Sequence, residues 1–137
     1  MTTRTHGRMI QTGSVSAANL AAGAVTLPAL RRFTSDWTAW TSGGTVVFAH
    51  GLGVVPWHVQ LYLQATSPDE GGWAQLDTFA WYGSAKASTN GGAIWYADAT
   101  NVRVLIGSGT QRGLRKDTGA HFNITPALWL LRVVAHG

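Results

Sequence analysis

The chain lacks several features that would identify common protein classes. It contains no cysteine among its 137 residues, which excludes a disulfide framework and a cysteine-ligated zinc site. No apolar run approaches the roughly 20 residues of a transmembrane helix, and the N-terminus lacks the apolar core of a signal peptide. We therefore expect a chain that folds in a cytoplasm and does not insert into a membrane.

Charged side chains are scarce, whereas tryptophan is abundant. Asp, Glu, Lys and Arg make up 12 % of the chain, about half of the ~25 % that soluble domains usually carry. The chain has seven tryptophans. This combination favours a surface that other chains cover, and we therefore prefer self-association or assembly. The alternative is a small, neutral, glycine-rich β domain.

The few charges are unevenly placed. Residues 1–33, here called the arm, contain four arginines and no acidic residue, whereas residues 34–137 contain six basic and six acidic residues. A basic arm can contact nucleic acid or an acidic protein surface. Because the four arginines are spread out without interleaved aromatic residues, we predict a protein partner and no nucleic acid.

The arm carries a short internal repeat. GSVSAANLAA at 13–22 is followed by GAVTLPAL at 23–30, and glycine, valine and leucine recur at matching places. This five- to ten-residue period fits neither a helix nor a strand. A single copy of the arm would bury too little apolar surface to offset the entropy cost of ordering its backbone, about 1–2 kcal/mol per residue. We predict an extended attachment and trimerisation segment. The residues assigned to assembly are Ile10, Val15, Leu20, Val25, Leu30, Arg31 and Arg32.

The remaining residues, 34–137, are predicted to form one all-β domain. Residues 57–66 alternate between apolar and polar, and residues 127–136 are apolar on both faces, as in a central strand or an edge pressed on another subunit. Residues 73–84 can be one long strand or two short ones, and 107–120 is predicted to be a long loop. Seven to eight short strands indicate an antiparallel β-sandwich or small barrel.

Four motifs follow one another along this domain. They are HGLGVVP at 50–56, EGGW at 70–73, DATNVRV at 98–104 and ITPALWLLRV at 124–133. Their order and spacing resemble the C-terminal β domain of many bacteriophage fibre proteins, and the arm resembles the repetitive N-terminal segments of phage tail fibres and spikes. The G-D-E that usually follows the EGGW element in that family is replaced by Ala74-Gln75-Leu76-Asp77.

The resemblance implies a virion protein, and the scarcity of carboxylates in the chain favours a role without enzymatic activity. It implies a homotrimer, assembled in a bacterial host, whose arm attaches to capsid or tail proteins and whose β domain faces the host. The short chain favours a head fibre, a capsid spike or a small tail-tip module. Two alternatives stay open: a purely structural decoration or connector protein without a ligand, and a free-standing lectin.

Catalytic and metal chemistry find little support in the sequence. Asp77 is the one carboxylate within a strand-like stretch, and no second carboxylate is evident for a glycosidase pair. His58 and His121 are the candidates for a metal on a trimer axis. His50 is better explained as a cap of the HGLG turn, and Asp98 as a cap of the DATN turn. We predict no cofactor, no metal and no catalytic residue.

Glycan binding is the sharper hypothesis for the β domain. Sugar rings stack on aromatic side chains while polar neighbours bind the hydroxyls, and a continuous strand over 73–81 would align aromatic and polar residues on one face. Core or subunit-interface packing is the alternative for these residues, with Trp57 and Trp129 assigned to the core. A basic loop at 112–116 is a second candidate. The residues assigned to glycan binding are Trp73, Asp77, Trp81, Tyr82, Trp95, Tyr96 and Arg103.

Overall fold

The computed structural model describes residues 31–68, 70–82 and 90–137, and this part of the chain is all-β with antiparallel sheets. None of its helices has the length and apolarity needed to span a bilayer. The assembly residues predicted between positions 10 and 30 lie outside the described residues. The strands are β1 Arg32–Thr34, β2 Thr45–Ala49, β3 His58–Ala65, β4 Thr78–Ala80, β5 Ala93–Ala97, β6 Asn101–Ile106, β7 Arg112–Leu114, β8 His121–Asn123 and β9 Trp129–His136, with a 3-10 helix over Pro126–Leu128.

A four-stranded sheet in the order β1-β9-β3-β4 forms one layer. Strand β9 pairs with β3 along eight residues, from His58 opposite His136 to Ala65 opposite Trp129. Its alternate residues Trp129, Leu131, Val133 and Ala135 are at most 1 % exposed. The prediction of a central final strand is therefore confirmed.

A three-stranded sheet in the order β2-β6-β5 forms the second layer. Its strands β5 and β6 are joined by the tight turn that the sequence predicts at Ala99-Thr100. The Asp98 carboxylate caps this turn by accepting hydrogen bonds from the backbone N–H groups of Thr100 and Asn101, each at 2.8 Å. The turn motif therefore fixes the register of this hairpin.

The two sheets pack face to face around one hydrophobic core. Val102 and Val104 of β6 meet Leu63 and Leu131 of the other sheet in a single cluster, and all four are fully buried. Buried aliphatic side chains of this kind each contribute roughly 1.5–3 kcal/mol. The architecture is therefore the β-sandwich that the alternating strands predict.

Two of the nine strands in the described part of the chain were not expected from the sequence. Strand β7 lies in the predicted long loop and pairs with β8 as a separate ribbon. Gly113 of β7 allows this close pairing, because a Cβ atom there would come within 2.7 Å of the Phe122 ring. Strand β1 lies at the end of the segment that the sequence assigns to the arm.

Strand β1 brings the end of the arm into the folded unit. Arg32 pairs with His136, and Phe33 pairs with Ala135. The Arg31 guanidinium donates a hydrogen bond to the Leu52 carbonyl at 2.6 Å, and the Arg31 carbonyl accepts one from Gly137 at 2.9 Å. The structured unit thus includes residues 31–33, which differs from the predicted boundary at residue 34.

His50 holds the HGLG turn, as the sequence predicts. Its Nδ1 atom accepts a hydrogen bond from the Leu52 backbone N–H at 3.0 Å. Its Nε2 atom lies 2.9 Å from the Asp98 carbonyl, which accepts only, so Nε2 carries the proton. One buried imidazole therefore ties the HGLG turn to the DATN turn.

Gln111 is a buried polar residue that the sequence analysis does not identify. It is 1 % exposed. Its side-chain amide donates to the carbonyls of Gly107 and Gly109 and accepts from the Gly92 backbone N–H, at 2.7–2.9 Å. Gln111 thus fixes the loop after β6 to the segment that enters β5.

Replacing Gln111 by methionine should destabilise the domain strongly. Gln111→Met keeps the side-chain length but leaves the half-buried Gly92 N–H and Gly109 carbonyl without this partner. We expect a loss of about 2–4 kcal/mol in the free energy of unfolding, measured by urea denaturation. The exposed Gln75→Met variant is the control and should change stability by less than about 0.5 kcal/mol. Equal stability of the two variants would contradict this role.

Candidate functional site

The outer face of the three-stranded sheet exposes a group of large apolar side chains. Strand alternation points these residues away from the core, and the register places Val47 and Tyr96 on either side of Arg103 and Ile94 beside Leu105. Their exposed fractions are between 42 % and 55 %. We call this surface the apolar face, and its members are Val47, Ile94, Tyr96 and Leu105.

Arg103 is the one charged side chain in the middle of the apolar face, and it is paired within the chain. Its guanidinium contacts the Asp98 carboxylate at 2.6 Å and lies 5.9 Å from the centre of the Tyr96 ring. The Arg103 hydrogen bond is the largest cause that lowers the pKa of Asp98 well below its usual range, and hydrogen bonds from Thr100 and Asn101 add to it. The face therefore offers little unpaired charge.

The structure divides the predicted glycan residues among several places. Tyr96 and Arg103 lie together on the apolar face, whereas Trp95, 39 % exposed, pairs with the buried Val104 and lies on the opposite side of the edge strand β5. Trp73 and Asp77 lie together on the other sheet's side, and Tyr82 is exposed near β4. Trp81 lies in the core. The seven residues therefore do not form one site.

Trp81 is a wrong prediction as a ligand residue. It is 3 % exposed and packs on Trp40, with ring centres 5.2 Å apart. The stretch 73–81 is not a continuous strand, because a turn at Ala74–Asp77 precedes β4 and Leu76 adopts a positive φ of 70°. The turn breaks the alternation on which the shared face depends.

Trp73 and Asp77 serve as intrachain contacts. The indole N–H of Trp73 donates to the Leu114 carbonyl at 3.0 Å, and its ring stacks on Phe79. The Asp77 carboxylate binds Lys116 at 2.6 Å and the Ala74 backbone N–H at 2.9 Å. The Lys116 hydrogen bond is the main cause that lowers the pKa of Asp77. These polar groups are therefore occupied without a ligand.

The basic segment 112–116 is largely neutralised in the same way. Arg115 forms an ion pair with Asp117 at 2.8 Å, and Lys116 pairs with Asp77. Arg112 is exposed in β7. This arrangement weakens the prediction of a basic loop for an acidic polysaccharide.

Trp57 is exposed, although the sequence analysis assigns it to the core. It is 68 % exposed, whereas Trp129 is 1 % exposed as predicted. Trp57 lies between Pro56 and the first residue of β3, and its ring packs on His58 and His136 instead of following Val59 inward. Pro56 is the sequence signal that the strand begins after it, because the chain bends at Trp57 and the alternation starts only at His58.

These rings border an open depression that sequence reasoning missed. Its volume is about 450 Å³, and it is lined by Arg32, Trp57, His58 and His136. The register brings three of the four residues together, because His136 of β9 lies between Arg32 of β1 and His58 of β3. We call it the Trp57 depression.

The histidines do not form a metal site within the described residues. Both ring nitrogens of His50 are engaged in hydrogen bonds. His58 lies beside His136, and His121 is on β8 of the separate ribbon. Across residues 31–68, 70–82 and 90–137, no three His, Cys, Asp or Glu side chains cluster as metal ligands do.

Comparison with protein-family models, with curated proteins and with solved structures finds no match to this chain.

Acid should weaken the fold through the capped turn at Asp98. Because the folded pKa of Asp98 is lowered from 3.8, its stabilising contribution is present above about pH 4 and is lost as the pH falls further. We expect the free energy of unfolding to decrease from pH 5 to pH 2, and to decrease less steeply in Asp98→Asn. Urea denaturation at several pH values in this range gives the slope of the unfolding free energy against pH for both proteins. Equal slopes for the wild type and Asp98→Asn would contradict a stabilising role of the Asp98 carboxylate.

Proposed function

We propose that this protein is a structural component of a phage or phage-like particle. Three copies form a short fibre or spike, the arm attaches it to capsid or tail proteins, and the β domain faces the host surface. The single observation that carries the proposal is the apolar face. The four ordered motifs that resemble phage fibre domains support it, and so does the repetitive basic arm.

A second copy of this chain is the partner that best fits the apolar face. Large exposed apolar patches on soluble proteins are often interaction sites. The central cation is already paired with Asp98, so the face offers no free charge to a strongly charged partner. An exposed sheet face that carries several apolar side chains suits packing around a symmetry axis, where each copy presents the same residues. The proposed number of three copies is taken from the resemblance to phage fibres, which are usually trimers.

The attachment role of the arm rests on its sequence. Its apolar residues recur every five positions, and it contains no acidic residue. Such a segment gains stability when several copies wind together or when it lies on a larger surface. An acidic surface on a capsid or tail protein complements its arginines.

The apolar face should control the oligomeric state. The full chain is expected to form a trimer of about three times its 14.6 kDa mass in size-exclusion chromatography with light scattering. Leu105→Asp adds a charge to the face that the proposed trimer buries and should give a monomer.

Leu114→Asp is the matched control, because Leu114 is 52 % exposed on the separate ribbon and should leave the trimer intact. A monomeric wild-type chain would overturn the proposed oligomer. A trimeric Leu105→Asp variant would place the interface elsewhere.

The arm should be needed for particle attachment but not for folding of the β domain. Changing Leu20 and Leu30 to Asp should abolish co-sedimentation of the chain with particles, because charged side chains cannot replace the shared apolar contacts. The circular-dichroism signal of the strands should stay unchanged. Normal incorporation of this double variant would contradict the attachment role.

A further inference from the structure

The Trp57 depression contains an exposed triangle of rings. The ring centres of Trp57, His58 and His136 are 5.8–5.9 Å apart in all three pairs, with tilts of 35–40°. The triangle is held at the backbone by the β3–β9 register and by a hydrogen bond from the Trp57 N–H to the His136 carbonyl at 2.9 Å. The large apolar indole is therefore fixed in place while it stays open to solvent.

Arg32 adds a charge that the described residues do not neutralise. The three salt bridges in this part of the chain use Asp77, Asp98 and Asp117, and none involves Arg32. Glu70 bonds to the Thr125 N–H and the Trp129 indole instead. Asp36 forms no ion pair with Arg32. Of the residues outside the described ranges, 1–30 and 83–89 contain no Asp or Glu, and Asp69 is next to Glu70, which bonds at the Trp129 end of β9, whereas Arg32 pairs at the His136 end. Arg32 is thus available to an anion from outside the domain.

We propose that the Trp57 depression binds a carboxylate-bearing pyranose, such as a uronic acid residue of an acidic polysaccharide. The C–H face of the sugar stacks on the Trp57 indole, as apolar groups do on exposed aromatic rings. The Arg32 guanidinium pairs with the sugar carboxylate. His58 and the Nε2 atom of His136 offer ring nitrogens to the hydroxyls, whereas the Nδ1 atom of His136 is buried. The volume of about 450 Å³ lies within the roughly 300–1,000 Å³ of small-molecule sites.

A nucleic acid fits the same surface less well. Nucleic-acid binding depends on several cations along the phosphate backbone. Around this domain Arg103, Arg115 and Lys116 are already paired with carboxylates, and the Arg132 guanidinium lies 4.2 Å from the Trp37 ring centre. The unpaired Arg32 beside the Trp57 indole matches a ligand that carries a single negative charge on each sugar ring.

The choice of a polysaccharide rests on the proposed function, in which the domain faces a bacterial surface, but the test does not need the trimer. The probe is a tetrasaccharide of alternating glucuronic acid and N-acetylglucosamine, with its methyl ester as the uncharged counterpart. The full-length protein is titrated with each, and the Trp57 indole N–H resonance is followed by NMR.

The uronate tetrasaccharide should shift the Trp57 resonance with a Kd between about 0.1 and 5 mM, typical of a single weak contact. Trp57→Ala should weaken binding of the tetrasaccharide at least about tenfold, and Trp57→Phe only about two- to threefold. Because these variants lack the Trp57 resonance, their binding is measured by saturation-transfer NMR. Arg32→Gln should weaken binding of the uronate about tenfold while leaving the ester unaffected. Arg112→Gln, which removes an exposed arginine on another strand, is the matched control and should bind normally.

Three outcomes would overturn the proposal. They are a wild-type protein that does not bind the tetrasaccharide below 10 mM, binding that Trp57→Ala leaves unchanged, and equal affinity for the uronate and its ester. Light scattering on the same samples reports the oligomeric state separately. A trimeric protein that does not bind the saccharide would therefore refute only the proposed ligand. A monomeric protein that binds the saccharide would refute only the proposed trimer.

Discussion

Strand β9 is paired on both sides, with β1 along three residues and with β3 along eight, so its register cannot change without moving both neighbours. A slip of one residue would turn Leu131 and Val133 out of the core. The pairing on the β1 side of β9 continues beyond the end of β1. The Ser35 hydroxyl accepts a hydrogen bond from the Val133 N–H, and Thr38 exchanges backbone hydrogen bonds with Leu131. The outer face is covered too, since Trp37 lies over Arg132. The remaining elements are built around this one fixed strand.

The same register sets the position of the Trp57 depression. His136 is the last residue of β9, His58 is the first of β3, and Arg32 is the first of β1, so three strand ends place these side chains in one row. Trp57 joins the row because its N–H bonds to the His136 carbonyl. The site is therefore carried by regular strands, which hold side chains more firmly than loops do.

Much of the fold could be predicted from the sequence wherever local patterns agree with tertiary packing. The alternation over 57–66 and the apolar final strand predict β3 and β9, and Asp-Ala-Thr-Asn predicts the β5–β6 turn with its capping carboxylate. Strand β7 was not predicted because its three residues, an arginine, a glycine and a leucine, are too few to show an alternating hydrophobic pattern. Trp57 and Trp81 exchanged their expected roles because a bend at Trp57 and a turn at Ala74–Asp77 interrupt the alternation. Such turns depend on contacts distant in sequence, and so does the meeting of Arg32 with His136.

The two candidate surfaces are compatible because they belong to different sheets of the sandwich. The apolar face lies on the outer side of the three-stranded sheet, whereas the Trp57 depression lies at one end of the four-stranded sheet. In the proposed trimer, packing of the apolar faces around the axis leaves the four-stranded sheets pointing away from it. Each copy then keeps an open depression, and three weak sites act together through avidity.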